Sequence, residues 1–154
     1  KIGSEPVLEK RDIIEDTKNT VDYLQTRVSQ QVVFTFKAPE HPIYVDINPA
    51  LHSWTIENLV KNAIDAMKGK GSLNIIISEL EDIVKISITD SGKGIPKNQF
   101  TKVFEPGFTT KKRGWGLGLS LTKRIVQEYH KGKIKVAHSE IGKGTTMQIS
   151  YKTA

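Results

Sequence analysis

Two β-rich runs, Leu73 to Ser78 and Ile83 to Thr89, are joined by nothing more than the acidic segment Glu79 to Asp82. So short a connection closes an antiparallel hairpin, because parallel neighbours need a crossover of roughly a dozen residues or more. A second such pair ends the chain, Lys133 to Ala137 and Thr145 to Tyr151, with Gly142 and Gly144 turning between them. Adjacent hairpins interrupt any regular alternation of strand and helix. The pattern predicts a single α/β domain over residues 1–154 with a mixed sheet, rather than a regular βαβ winding.

The rest of the chain supplies helices and two further strands. Ile13, Ile14, Thr17, Val21, Leu24 and Val28 recur at spacings of three and four, which predicts an amphipathic helix from about Val7 to Val28. Val32 to Phe36 reads as a strand ended by Pro39 and Pro42, and Ile43 to Asp46 as a short second one. Asn48 and Pro49 mark a helix start, and that helix runs to about Met67 before Gly69 and Gly71 stop it. A last helix is expected from about Trp115 to Tyr129.

The composition narrows the function classes. At 154 residues, with 37% apolar and 26% charged side chains, the chain is an ordinary soluble globular domain. No apolar run approaches the roughly 20 residues of a membrane helix, so no membrane contact is expected of this domain. The absence of cysteine leaves no disulfide framework or thiolate metal site and suits a reducing compartment. The net charge of +6 is scattered, apart from one cluster, Lys111, Lys112 and Arg113. A local phosphate partner explains that cluster better than nucleic acid does. The chain opens at Lys1 without a methionine and reads as a fragment of a longer protein.

Three segments could carry chemistry. On the helix after Pro49, Asn58, Asn62 and Asp65 share one face, while Ile56, Leu59, Val60, Ala63, Ile64 and Met67 take the other. Two amides and a carboxylate in a row offer oxygen ligands to a hard cation such as magnesium carried by nucleotide phosphates, or simply occupy the wet face. Asp90, Ser91, Gly92, Lys93, Gly94, Ile95 and Pro96 follow an apolar strand. Here a carboxylate beside bare backbone can receive an exocyclic amine, though the same residues also write a plain turn. Arg113 to Ser120 holds glycines at 114, 116 and 118 and opens a helix, which exposes successive N–H groups as an anion site. It follows an irregular stretch rather than a strand, so a Rossmann loop fits poorly, and no Walker ending is present.

Taken in order, the asparagine helix, Asp90 to Pro96, Phe104 to Lys112, Gly114 to Ser120 and Gly142 to Thr146 closely resemble the ATP-binding domain of sensor histidine kinases, within the wider ATPase superfamily of gyrase B, Hsp90, MutL and histidine kinases. The resemblance covers roughly Leu51 to Ile149. It implies the Bergerat fold, an α+β two-layer sandwich in which a mixed sheet of about five strands packs under about three helices. ATP or ADP with magnesium would lie between the helices and a flexible lid.

The resemblance also implies roles. Asn62 would coordinate magnesium, with Asn58 beside it near the phosphates. Asp90 would read the adenine amine, Gly92 and Gly94 would shape that pocket, and Thr145 would support it, partly through water. Phe104 and Phe108 match the lid segment, and Gly114, Gly116 and Gly118 match the phosphate loop, with the amides near Leu117 and Gly118 taking phosphate oxygens. Asp65, Ile95, Thr109, Thr110, Trp115 and Leu119 complete the expected nucleotide site. Lys111, with Lys112 and Arg113, is a lid cation able to meet the terminal phosphate or to stay solvated.

Two departures favour the kinase branch. The gyrase-type glutamate base is replaced by Asn58, and the adjacent Glu57 points about 100° around the helix. The lid is also short. The resemblance then implies transfer of the ATP γ-phosphoryl to a histidine. None of His41, His52, His130 and His138 sits in the family's phosphoacceptor motif, so the acceptor belongs on a dimerisation hairpin upstream, with residues 1–6 as its linker. It further implies a response-regulator partner and a cytoplasmic domain of a membrane-anchored bacterial sensor. The isolated domain would be a monomer and its parent a homodimer. The open alternatives are an ATPase or an anti-sigma-type serine kinase of the same fold, or a nucleotide-binding interaction module without catalysis.

Overall fold

The computed structural model describes residues 5–108 and 118–154. A short strand β1 (Glu9–Asp12) leads into helix α1 (Ile13–Gln25), and strands β2 (Val32–Lys37) and β3 (Tyr44–Ile47) follow. Helix α2 (Pro49–Ala66) precedes the hairpin of β4 (Gly71–Leu80) and β5 (Ile83–Asp90). After two 3₁₀ turns come helix α3 (Gly118–Arg124) and the hairpin of β6 (Lys133–Glu140) and β7 (Gly144–Lys152). The five-stranded sheet runs β2-β4-β5-β7-β6, with β2 parallel to β4 and every other pair antiparallel. β1 and β3 make a separate antiparallel ribbon.

Period-two burial places the core on one side of the sheet. Leu73, Ile75 and Ile77 of β4, Val84, Ile86 and Ile88 of β5, and Ile149 and Tyr151 of β7 are buried against Ile56, Leu59, Val60 and Ala63 of α2. Mixed sheet and helical layer are thus those of the Bergerat sandwich.

The first helix is shorter than its apolar stripe predicts. The Asp12 carboxylate accepts from Ile14 N at 3.1 Å and from Ile43 N at 3.3 Å, so it caps α1 and ties it to the next strand. The residues before it pair with β3 instead of coiling. α2 starts as expected, with Asn48 accepting from Leu51 N at 3.0 Å and Pro49 in the first turn. α3 widens at its end into a π-helical turn (Ile125–Tyr129), a feature that the sequence reading did not foresee.

His130 closes that turn, and its Nε2 accepts the backbone N–H of Asn48 at 3.1 Å. His52, fully buried on α2, meets Thr17 Oγ1 at 2.8 Å. Both rings stand edge-on to Tyr151, at centroid distances of 5.9 Å and 6.3 Å. Burial lowers the pKa of His52 to about 3 and that of His130 to about 4, from an ordinary 6.5. Neither is placed to serve as a phosphoacceptor.

Because the folded values lie below the unfolded one, the unfolded chain takes up protons first. Their contribution is complete above about pH 6.5 and is lost as pH falls toward 3–4. We expect stability in urea to drop by roughly 2 kcal/mol per histidine between pH 7 and pH 5. His130→Gln, which keeps an acceptor for Asn48, should flatten that slope. An unchanged urea midpoint across this range would contradict the account.

Candidate functional site

A cavity of about 1000 Å³ lies between α2, the ends of β5 and β7, the 90–99 loop and the start of α3. Its floor follows from strand pairing. Asp90 faces Thr145 and Ile88 faces Met147 across the β5–β7 ladder, so alternation turns all four side chains to the helix side. A polar pair thus sits beside an apolar one, a surface suited to a flat heterocycle with an amine at its edge.

Asp90 is 7% exposed. Its Oδ1 accepts from Gly92 N at 2.8 Å and from Thr145 N at 3.3 Å. Burial raises the carboxyl pKa and outweighs these two hydrogen bonds, which lower it. Oδ2 takes no hydrogen bond from the described residues and remains an acceptor for a ligand.

The surrounding loops hold this pair closely. Lys93 N donates to Ala66 O at the end of α2, and Gly142 N to Lys93 O, so the 90–96 loop is pinned on both sides. Gly94 has φ +81°, and a Cβ there would lie 2.3 Å from Glu140 O. At Gly144 (φ +133°) a Cβ would come within 1.9 Å of Asp90 O. Only glycine permits that approach.

Ser139 is a site residue that the sequence reading missed. Its Oγ accepts from Ile95 N at 2.7 Å, donates to Gly144 O at 3.0 Å and lies 2.7 Å from Thr145 Oγ1. With the single Ser139 proton given to Gly144, Thr145 must donate to Ser139, and its own oxygen keeps lone pairs. A bulge between Val136 and His138 aims Ser139 inward. Strict alternation from the buried Ile134 and Val136 would have turned it out.

Opposite this pole, Asn58, Asn62 and Asp65 of α2 line the cavity with Gly118 and Leu119 of α3. Asn58 Nδ2 donates to Thr122 Oγ1 at 2.8 Å, and Thr122 in turn donates to Gly118 O at 2.7 Å. With its nitrogen so committed, the Asn58 oxygen is the group left for a ligand. Among the described residues no three His, Cys, Asp or Glu side chains cluster as metal ligands. Amide oxygens with ligand oxygens fit a hydrated hard cation better than a softer metal. Glu57, expected to point away, does border the cavity, but its carboxylate is held 3.0 Å from Lys61 Nζ.

Of the other expected residues, Ile95 and Phe108 line the wall. Phe104 does not. It is 7% exposed in the core of its 3₁₀ turn, and Val103 takes the wall beside it. Thr109, Thr110, Lys111, Lys112, Arg113, Gly114, Trp115, Gly116 and Leu117 lie outside the described residues.

Known proteins resemble this chain in sequence and in fold. The sensor histidine kinase ZraS of Escherichia coli K12 is 40% identical over 121 residues, which make up 79% of this chain and 26% of that protein. Sporulation kinase E of Bacillus subtilis is 34% identical over 148 residues, 92% of this chain and 19% of that kinase. The chain thus spans about a quarter or less of these relatives. The solved catalytic domain of histidine kinase ThkA superposes with a TM-score of 0.84 at 26% identity, covering 94% of this chain and 95% of that one. The model of the family described as histidine kinase-, DNA gyrase B- and HSP90-like ATPase matches residues 50–154. The chain belongs to this ATPase family.

Proposed function

We propose that the cavity binds ATP with magnesium, and that the chain serves as the catalytic domain of a two-component sensor kinase, passing the γ-phosphoryl to a histidine on a dimerisation domain. The observation that carries this reading is the cavity's polarity: a buried carboxylate paired with Thr145 at one pole, and two asparagines beside the start of α3 at the other. Asp90 Oδ2 would accept the exocyclic amine of adenine, while Gly94 and Ile95 leave room for the ring. Asn58 and Asn62 would hold magnesium. The ion supplies neutralisation of phosphate charge, and the protein's share in such a transfer is mainly positioning. Lys111 is proposed as the lid cation at the terminal phosphate.

Asn58 in place of a carboxylate base, and Glu57 held by Lys61, favour transfer over hydrolysis. A response regulator is the proposed downstream partner, by likeness to ThkA, which has been solved in complex with the response regulator TrrA. No helix among the described residues is long and apolar enough to cross a membrane. A cytoplasmic position on a membrane-anchored, homodimeric parent is part of the same proposal.

Calorimetry separates the two poles. Asp90→Asn should weaken ATP and adenosine alike, by at least about tenfold, because a charge-assisted hydrogen bond is lost. Removal of magnesium with EDTA should weaken ATP far more than adenosine. Equal effects of EDTA on both ligands, or wild-type affinity in Asp90→Asn, would refute the assignment. ATP affinity should also fall as pH drops through the raised Asp90 pKa, since the protonated acid no longer offers a charged acceptor.

Ser139→Ala should weaken ATP by about five- to tenfold, the loss of roughly one buried hydrogen bond, and Ser139→Thr should recover part of it. Titration of the purified variants decides this, and an unchanged Kd for Ser139→Ala would remove Ser139 from the site. Phosphotransfer is tested by adding a dimerisation hairpin in trans and looking for acid-labile phosphoprotein. Its absence despite tight ATP binding would sink the kinase reading alone.

A further inference from the structure

The sheet's other face carries a second constellation, remote from the nucleotide cavity because alternate side chains of the same strands build each. On this open face Ser150 of β7 pairs with Lys85 of β5 on one side and with Lys133 of β6 on the other. Gln148, two residues back, pairs with Lys135, and Lys152, two residues on, pairs with Ile83. With strands about 4.8 Å apart, Lys85 and Lys133 flank Ser150 across about 10 Å. Together with Lys131 these side chains border a hollow of about 350 Å³.

The face is cationic without compensation. Lys85, Lys131, Lys133 and Lys135 have no ion pair among the described residues, and Lys152 only a distant one to Asp82 at 3.9 Å. No carboxylate occupies the outward positions of β5 or β7, or of β6 from Lys133 to Val136. Some exposed lysines elsewhere on the chain do find carboxylates, as in Lys18–Asp22, Lys61–Glu57 and Lys143–Glu140, whereas among the described residues no such close partner stands beside the lysines of this face. Like charges gathered on rigid strands, within a Debye length of one another, repel until an anion arrives.

We propose that this face docks an acidic, carboxylate-bearing surface of a partner protein. A second copy of the chain is a poor occupant, because it carries the same net charge of +6. A nucleic acid is also a poor fit. The outward positions of β5 and β7, and of β6 from Lys133 to Val136, hold no aromatic side chain for base stacking and no arginine, and the charged span is short for a run of phosphates. Hydroxyl and amide groups of Ser87, Gln148 and Ser150 between the ammoniums suit discrete carboxylates that alternate with neutral polar side chains.

The test uses the whole chain, saturated with ADP and magnesium to occupy the nucleotide cavity, and a fluorescein-labelled peptide of eight glutamates. We expect the peptide to shift the backbone amide signals of Lys85, Lys133 and Ser150 but not those of Gly94 or Gly118. In K85Q/K133Q/K135Q the peptide's Kd should weaken at least fivefold while ADP affinity is unchanged. The arginine triple, which keeps the charge, should retain binding. The proposal is overturned if the peptide leaves the sheet-face amides unmoved. It is equally overturned if the glutamine triple binds the peptide as wild type does, or if a single-stranded oligonucleotide or tripolyphosphate occupies this face more tightly than the peptide.

Discussion

The ladder between β5 and β7 is the constraint on which the rest depends. It joins residues 83–90 to 145–152, far apart in the chain, and it sets Asp90 opposite Thr145 and Ile88 opposite Met147. One-residue slippage would send the carboxylate to solvent and the lysines of the open face into the core, because alternation admits no half measure. Gly144 guards that register. Its lack of a side chain lets the start of β7 lie against the carbonyl of Asp90.

The cavity's two poles are built by different physics. At the Asp90 end, backbone amides and the Ser139 hydroxyl hold groups in place through short hydrogen bonds within a strand-and-loop frame. At the Asn58 end, two helices meet through side chains, with Thr122 taking the Asn58 amide and Gly118 so near that a Cβ there would lie 3.2 Å from the amide oxygen. The first pole belongs to the rigid sheet. The second depends on where α3 begins, so a ligand there is coupled to the placement of that helix.

Much of this was legible in the chain because local chemistry wrote it. The Asn48–Pro49 start, the two hairpins and the order of the glycine-bearing segments each rest on neighbouring residues. They sufficed for the sandwich and for placing Asn58, Asn62, Asp90, Gly94 and Thr145 around one cavity. The failures were of other kinds. β1 looked like the front of α1 because its pairing with β3 is non-local, and Phe104 was assigned to the lid when burial claims it for the core. Ile88 and Met147 were overlooked because their role exists only once β5 and β7 are neighbours. Ser139 was overlooked because a simple two-residue period puts it outside.

That last residue shows how a strand can encode a site by parity. The extra residue at the β6 bulge changes no side chain's chemistry, yet it swaps odd for even beyond Val136 and delivers a hydroxyl to Ile95, Gly144 and Thr145 at once. The same residues paired without that bulge would keep every motif that identifies the family. They would set His138 opposite Thr145, facing inward, and turn Ser139 to water. The register at this point is therefore as much a part of the site as the identity of any residue in it.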